Sequence, residues 1–528
     1  LNEALVNEAK SGVYTANNIE SFRYGKDPIA YPDVNWYDQI LKNNSDIQSY
    51  NLNATGGNKT AQYFVSLGYF TENGLLRENA QNTYNTNLSY DRYMVTSKIN
   101  VNVLPGLKMG ATVIGRIEEG NQPGAGTSSI MSDIYTLPGS VYPVYNPDGS
   151  YGGNNSYQNN LMAKTIGSGY IKDLMRDGYG NIVIDHDMAW LTEGLSARMV
   201  GSVVSQSRSA LDRSKQEPVY LRSLNPDGSL RGYERFGSIV PQRNNFIGVS
   251  NFQYMYGQIA LDYKKVINKS HTIEGNVFAD VKEVLDNYQL PEKPANLNAE
   301  AKYDYQQKYF AQAAVSRSYL NRYAPGKRWG TFYAFGLGWD ISKEAFMQSI
   351  DWVNKLKLRA VFGQTGNSIG RDNYYTWRQQ YESNAVNVAG TGAYYPQGSN
   401  YTGLYENVAV GLIETNLSLS NPNLTWERAN KLNLGLDANL FDNKLWITAD
   451  LYSDKHFDLL MARGKSIELI GLNYSAENIG KVRYQGADLS VTYQDNIGNF
   501  NYYVTGNWSI NQSKILFMDE QNVPEEYM

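Results

Sequence analysis

Along much of this chain apolar and polar residues alternate one by one, the period of a strand with one face in oil and one in water. Within 431–440, Leu432, Leu434, Leu436, Ala438 and Leu440 share one face, and Lys431, Asn433, Gly435, Asp437 and Asn439 take the other. After the turn Phe441-Asp442-Asn443-Lys444 the pattern resumes, with Leu445, Ile447, Ala449 and Leu451 opposite Trp446, Thr448, Asp450 and Tyr452. This spacing predicts a long hairpin with a single apolar face. Ile99, Val101 and Val103 lead in the same way through Pro105-Gly106 into Leu107, Met109, Ala111 and Val113. Ala487, Leu489, Val491 and Tyr493 return across 495–499 as Tyr502, Val504, Gly506, Trp508 and Ile510, and 258–263 with 273–280 form a further pair.

The connections are of two kinds. Some are tight turns, while others are long, polar and rich in Asn, Gly and Tyr, notably 120–178, 207–251 and 364–430. Short turns at one end and long loops at the other are the habit of an outer-membrane barrel, and about 14 to 18 strands of roughly ten residues fit in the chain. The competing reading is a large soluble β protein whose aromatics fill a core. Strands of about ten residues, against the usual five or six, favour the barrel.

Composition sharpens this. The 528 residues include 43 Tyr, 16 Phe and 9 Trp, a surplus that aromatic girdles at the two membrane boundaries would absorb. Only 19% of residues are charged, below the usual quarter. No run of 18 apolar residues occurs, which excludes a membrane-spanning helix. Net charge is 47 − 52 = −5 with no basic cluster, which argues against nucleic acid as a partner. Without cysteine there is no disulfide framework or thiolate chemistry.

Signals for catalysis are missing. The sequence holds no GxSxG elbow, no Walker A run and no HExxH, so neither an enzyme nor a metal or cofactor site is expected. Of three histidines, His186 lies between Asp185 and Asp187 and reads as a solvated lumen residue. His271 falls in a Lys/Asn/Ser turn, and His456 is expected just after a strand end. Glu118-Glu119 and Glu525-Glu526 read as solvated loop charges. Asn-Pro-Asp-Gly-Ser occurs at 146–150 and 225–229, where Pro second and Gly fourth suit a type I turn at a loop tip.

Aromatic residues gather in the long connections: Tyr374, Tyr375 and Trp377; Tyr394, Tyr395, Tyr401 and Tyr405; and Tyr142, Tyr145, Tyr151 and Tyr157. Rings beside amide and carboxylate side chains can stack a sugar and hydrogen-bond its hydroxyls, or hold a peptide. Tyr151, Tyr157, Tyr374, Tyr375, Trp377, Tyr394, Tyr395, Tyr401 and Tyr405 are therefore the candidate substrate-binding residues. The alternative is that many of these rings belong to a girdle or to loop packing.

A family resemblance rests on ordered motifs. Asn35-Trp36-Tyr37-Asp38-Gln39-Ile40, Asn53-Ala54-Thr55-Gly56-Gly57, Tyr63-Phe64-Val65-Ser66-Leu67-Gly68-Tyr69-Phe70 and Asn73-Gly74-Leu75-Leu76 open the series. Leu358-Arg359-Ala360-Val361-Phe362-Gly363-Gln364-Thr365-Gly366-Asn367, Asn421-Pro422-Asn423-Leu424-Thr425-Trp426-Glu427, Asp458-Leu459-Leu460 and Asn478-Ile479-Gly480-Lys481-Val482-Arg483-Tyr484-Gln485-Gly486-Ala487-Asp488-Leu489 follow. Together they resemble the barrel of SusC/RagA-type TonB-dependent transporters.

The resemblance implies an all-β fold, a transmembrane antiparallel barrel of 22 strands around an N-terminal plug, in the bacterial outer membrane. It implies active import of oligosaccharides, powered through TonB and assisted by a SusD-like surface lipoprotein, in the Bacteroidetes manner, and leaves room for a dimer of transporter–lipoprotein pairs. Peptide import by the same architecture, a siderophore or cobalamin importer, and a soluble or surface glycan-binding β protein are the alternatives. On this reading residues 1–50 are the plug-to-barrel junction and first barrel segment, and 51–528 are barrel strands with long extracellular loops. Plug, TonB box and last strands have no counterpart here, and with Leu at position 1 the sequence is expected to be part of a longer protein.

Overall fold

The structure is a computed structural model, and it describes residues 2–9, 11–80, 82–287, 289–368, 377–378, 382–387, 401–402, 408–413, 420–463 and 476–520. Sixteen strands, each hydrogen-bonded to the next in chain order, form one antiparallel sheet. They are β1 (Ile47–Gly57), β2 (Ala61–Asn73), β3 (Ser89–Leu104), β4 (Leu107–Pro123), β5 (Gly169–Asp187), β6 (Leu195–Ser214), β7 (Asn245–Ile267) and β8 (His271–Asp286). After them come β9 (Ala295–Tyr305), β10 (Tyr309–Tyr319), β11 (Trp329–Asp340), β12 (Val353–Asn367), β13 (Glu427–Leu440), β14 (Leu445–Met461), β15 (Glu477–Ile497) and β16 (Phe500–Phe517). Among the described residues, the sixteen strands of this sheet fall inside the range that the alternation predicts.

Register keeps the two faces pure from strand to strand. Leu358, Leu436, Ala449, Leu489 and Trp508 stand in one cross-strand row from β12 to β16. One residue along, Arg359, Gly435, Asp450, Asp488 and Ser509 make the next row on the opposite face. A slip of one residue would exchange the faces, so the long apolar rows lock the pairing.

Among the described residues nothing covers the apolar face. Leu337, Leu451 and Leu434 are 67%, 60% and 47% exposed. Accessible surface totals 33794 Å², against about 19,000 Å² for a compact monomer of this mass. A soluble sandwich buries this face, so the face fits hydrocarbon rather than a core.

Aromatic rings mark its two borders. Trp329 and Trp339 lie ten residues apart on β11. At about 3.3 Å per residue that is about 33 Å along the strand, and a tilt near 40° makes it about 25 Å of height, the thickness of an outer-membrane band. Around Trp339, Tyr305 and Tyr309 stack at 6.3 Å and Tyr309 and Trp339 at 6.5 Å. The Tyr309 hydroxyl (2.6 Å) and the Trp339 indole N–H (3.1 Å) both donate to the Glu344 carboxylate. Near the other border Tyr69 stacks between Tyr50 and Tyr93.

Connections alternate between the two ends. Tight turns such as 58–60, 105–106, 268–270 and 441–444 gather at one, and 74–88, 124–168, 215–244 and 368–426 at the other. The strands run further toward the long end than the hydropathy pattern indicates, β4 to Pro123 and β6 to Ser214. Above the apolar band both faces meet water, so pairing continues after the alternation has ended. Two histidine expectations need correction for related reasons. His456 lies inside β14, its ring 5.2 Å from Tyr484. His186 stands in register with Leu107 and Ala197 on the apolar face, not the polar one.

Candidate functional site

The polar face is built from charged rungs. The Arg359 guanidinium donates to Asp437 at 2.8 and 3.2 Å and to Asp450 at 3.2 Å, linking β12, β13 and β14. Gly435 makes this possible, because a Cβ there would stand 2.5 Å from the guanidinium carbon. Further rungs join Arg198 to Asp185 at 2.6 Å, Lys264 to Glu274 at 2.6 Å and Lys431 to Asp454 at 2.9 Å. Arg116 pairs with Asp177. Held this way across strands, the charges fix the side chains of a wet wall.

Toward the long-connection end the wall hollows into a recess of about 840 Å³. Asn298, Glu300, Asn433 and Tyr452 line it, with Phe332 and Trp426 at its upper edge. Those two rings pack with Leu320, Tyr323 and Leu424 into a small buried cluster. Amides, carboxylates and ring faces converge without a nucleophile–base pair, a set that suits holding a polar chain.

A platform packs at the same end. Helices α1 (Asn2–Asn7), α2 (Ala16–Tyr24) and α3 (Trp36–Ile40) precede β1, and α4 (Thr127–Thr136) lies between β4 and β5. Asn35 caps α3, accepting from the Tyr37 N–H at 3.2 Å. Trp36 and Ile40 then bury against Leu76, Ile130, Ile134, Tyr142 and Leu161. The Trp36 indole N–H donates to the Pro138 carbonyl at 3.3 Å. The Asn160 amide bridges the Val144 and Gly152 carbonyls at 3.0 and 2.9 Å. Asp27 and the stretch 34–41 thus join the long connections rather than the tight turns. Arg222, on the hairpin formed by Val219–Leu224 and Leu230–Phe236, pairs with Asp27. Burial alone would raise Asp27, but the guanidinium and the Ala30 and Ile29 N–H groups hold its carboxyl below the ordinary range.

The predicted site residues separate. Tyr142 is buried beside Trp36, ring centroids 5.2 Å apart, and burial pushes its phenol far up. Tyr151 stacks with Tyr145 at 5.4 Å, and burial raises it to about 12. Tyr157 meets Tyr142 edge-on at 5.9 Å and stays 36% exposed. Trp377 is half-buried with the Arg378 guanidinium 4.6 Å over its ring. Tyr401 lies in the short strand Tyr401–Thr402, opposite Val410. Tyr374, Tyr375, Tyr394, Tyr395 and Tyr405 lie outside the described residues. Both Asn-Pro-Asp-Gly-Ser copies close tight turns, the Gly N–H donating to the Asn carbonyl at 2.9 Å in each. Sequence reasoning missed the Arg359 rung, although a lone Gly435 on the polar side of a Leu-rich strand was a visible cue.

No family model matches the chain. TonB-dependent receptor P26 of Formosa agariphila is 24% identical over 538 residues, 97% of this chain and 50% of the relative. TonB-dependent receptor SusC of Bacteroides thetaiotaomicron is 25% identical over 499 residues, 87% of this chain and 46% of the relative. The chain spans about half the length of the curated relatives it matches. Among solved structures, the RagAB peptide importer in its open-open state aligns over 96% of this chain and 56% of its own, at TM-score 0.60 and 18% identity. Its closed-closed state aligns over 92% and 52%, at 0.58 and 19%.

In sequence and in fold the chain resembles the barrel of SusC/RagA-type TonB-dependent transporters. Its apolar face is the lipid face of an outer-membrane barrel wall, and its polar face lines the lumen. In a SusC/RagA-type barrel the long connections stand outside the cell and the tight turns face the periplasm. The recess and the platform therefore share the extracellular end of the lumen.

Proposed function

We propose that this barrel belongs to a TonB-dependent importer that carries oligosaccharides from glycan breakdown across the outer membrane. A SusD-like surface lipoprotein delivers the cargo, and TonB supplies the work. The observation that carries this reading is the extracellular lumen recess, where Asn298, Asn433 and Tyr452 offer hydroxyl-binding groups beside the rings of Phe332 and Trp426. Binding, not bond chemistry, is the task of these side chains, in keeping with relatives named as receptors.

A second reading has support of its own. The RagAB structures are titled peptide importer, and paired charges such as Arg359–Asp437–Asp450 would suit the ends and side chains of a peptide. Deleting the gene in its host and supplying separate glycans or peptides as the limiting nutrient tests both. Loss of growth on one oligosaccharide, with growth on its monosaccharide kept, supports glycan import. Failure on peptides alone overturns the cargo and keeps the transporter. A defect only under iron or cobalamin limitation would favour the siderophore or cobalamin alternative.

A further inference from the structure

The lipid face carries a groove. About 830 Å³ in volume, it lies across β4–β10 with Val113, Val203 and Val281 in its walls and Gly180, Gly201 and Gly257 along its floor. None of the three glycines has a left-handed backbone. A Cβ at Gly180 or Gly201 would meet nothing within 4 Å, and one at Gly257 only Val281 Cγ2 at 3.7 Å. Glycine weakens a strand interior, and here neither backbone conformation nor close approach calls for it. What the missing side chains create is depth.

The groove follows one cross-strand row, Gly201, Gly257, Val281, Ala295 and Tyr319, which ends beside Trp329 in the extracellular aromatic border. At that end Lys293 and Glu283 line it, the Lys293 Nζ 3.1 Å from the Glu283 carboxylate. The ammonium, 53% exposed in its side chain, stands at the mouth of an otherwise oily trough. A bilayer offers a counterpart of the same shape, acyl chain below and phosphate above.

We propose that this groove is a binding site for a phosphate-bearing acyl lipid of the outer leaflet. One acyl chain lies along the glycine floor, and the phosphate takes the Lys293 ammonium. The Glu283 carboxylate holds the ammonium at the rim, and the phosphate takes the Lys293 N–H donors that the carboxylate leaves free. The proposal rests on the lipid-facing assignment of this side and is independent of the cargo.

The test uses the protein purified from its own outer membrane in mild detergent, with wild type, Gly201→Leu, Gly257→Leu and Lys293→Gln compared by native mass spectrometry. After delipidation each is titrated with phosphatidylglycerol and with diacylglycerol of the same chains. Wild type should retain a lipid and bind phosphatidylglycerol at least tenfold more tightly than diacylglycerol. Either leucine should weaken phosphatidylglycerol at least tenfold, and Lys293→Gln should bring it to the diacylglycerol level. Heat-modifiable gel migration checks that each variant keeps its barrel. Unchanged lipid binding in both leucine variants overturns the site. Equal binding of the two lipids by wild type overturns the role of Lys293. Loss of a protein dimer in the leucine variants, with lipid binding intact, would hand the groove to a protein neighbour instead.

Discussion

Placing an arginine at neighbouring positions of β13 separates the two faces most sharply. Leu434 is 47% exposed and pairs with Leu451. It lies six residues above Leu440 at the periplasmic end of the strand, about 20 Å along the strand and about 15 Å in height at a tilt near 40°. That is close to the middle of a band about 25 Å tall, where an arginine on the lipid face of a barrel costs about 2–4 kcal/mol. Leu440→Arg, at the border, should cost at most about 1 kcal/mol. Asn433→Arg points into the wet lumen and should change little. The protein would be folded into lipid vesicles and unfolded reversibly in guanidinium, reading tryptophan emission and gel mobility. Leu434→Arg should lower the midpoint most, Leu440→Arg less and Asn433→Arg least. Equal effects at 433 and 434, or a larger one at 433, would refute the assignment of faces.

Three further outcomes follow from the platform. Trp36→Ala empties a buried site and should cost the platform about 3–5 kcal/mol, read as faster proteolysis within 2–46 while the barrel midpoint holds. Asp27 has a depressed pKa in the folded protein, so its contribution is full above the ordinary carboxylate value near 4 and is lost as pH falls through the folded value. Protection factors across 16–31, corrected for the pH dependence of intrinsic amide exchange, should therefore fall as pH drops below about 4, and Asp27→Asn should flatten that change. Tyr151 runs the opposite way. Its phenol is raised to about 12, so the stability tied to its neutral form is present below pH 10 and lost toward pH 12. An alkaline absorbance titration should lose a component near pH 12 in Tyr151→Phe, and loss of one near pH 10 would contradict its burial.

The wall of this barrel was readable because the lipid demands a strict alternation. Leu432 through Leu440 and Leu445 through Leu451 pair in the register that the sequence pattern sets. Where water lies on both sides the rule lapses, which is why the upper ends of β4 and β6 read as loop. His186 was misplaced because its two acidic neighbours suggested water, whereas parity with Ile182 and Ile184 puts it toward the lipid. The platform was illegible for another reason. Trp36, Leu76 and the pair Ile130 and Tyr142 come from three separate stretches of chain, and no local period announces a core assembled from all three. The Arg359 rung likewise exists only across strands.

The unequal ends also decide where this molecule can be written on without being rewritten. At the tip of 225–229 the Asn225 N–H donates to the Ser229 carbonyl at 2.8 Å and Gly228 turns at φ 82°, a self-contained knot beyond the last barrel pair. An epitope or a small fluorescent tag spliced there would be displayed to the outside of a living cell while leaving every barrel hydrogen bond in place. The turn 441–444 offers no such slot: Phe441, Asp442 and Asn443 all hold left-handed conformations to reverse the chain. An insertion there would have to reopen the β13–β14 register that keeps leucine on leucine. Imaging handles, affinity tags and grafted binding loops therefore belong to one rim of this barrel, and the other rim is a fixed seam.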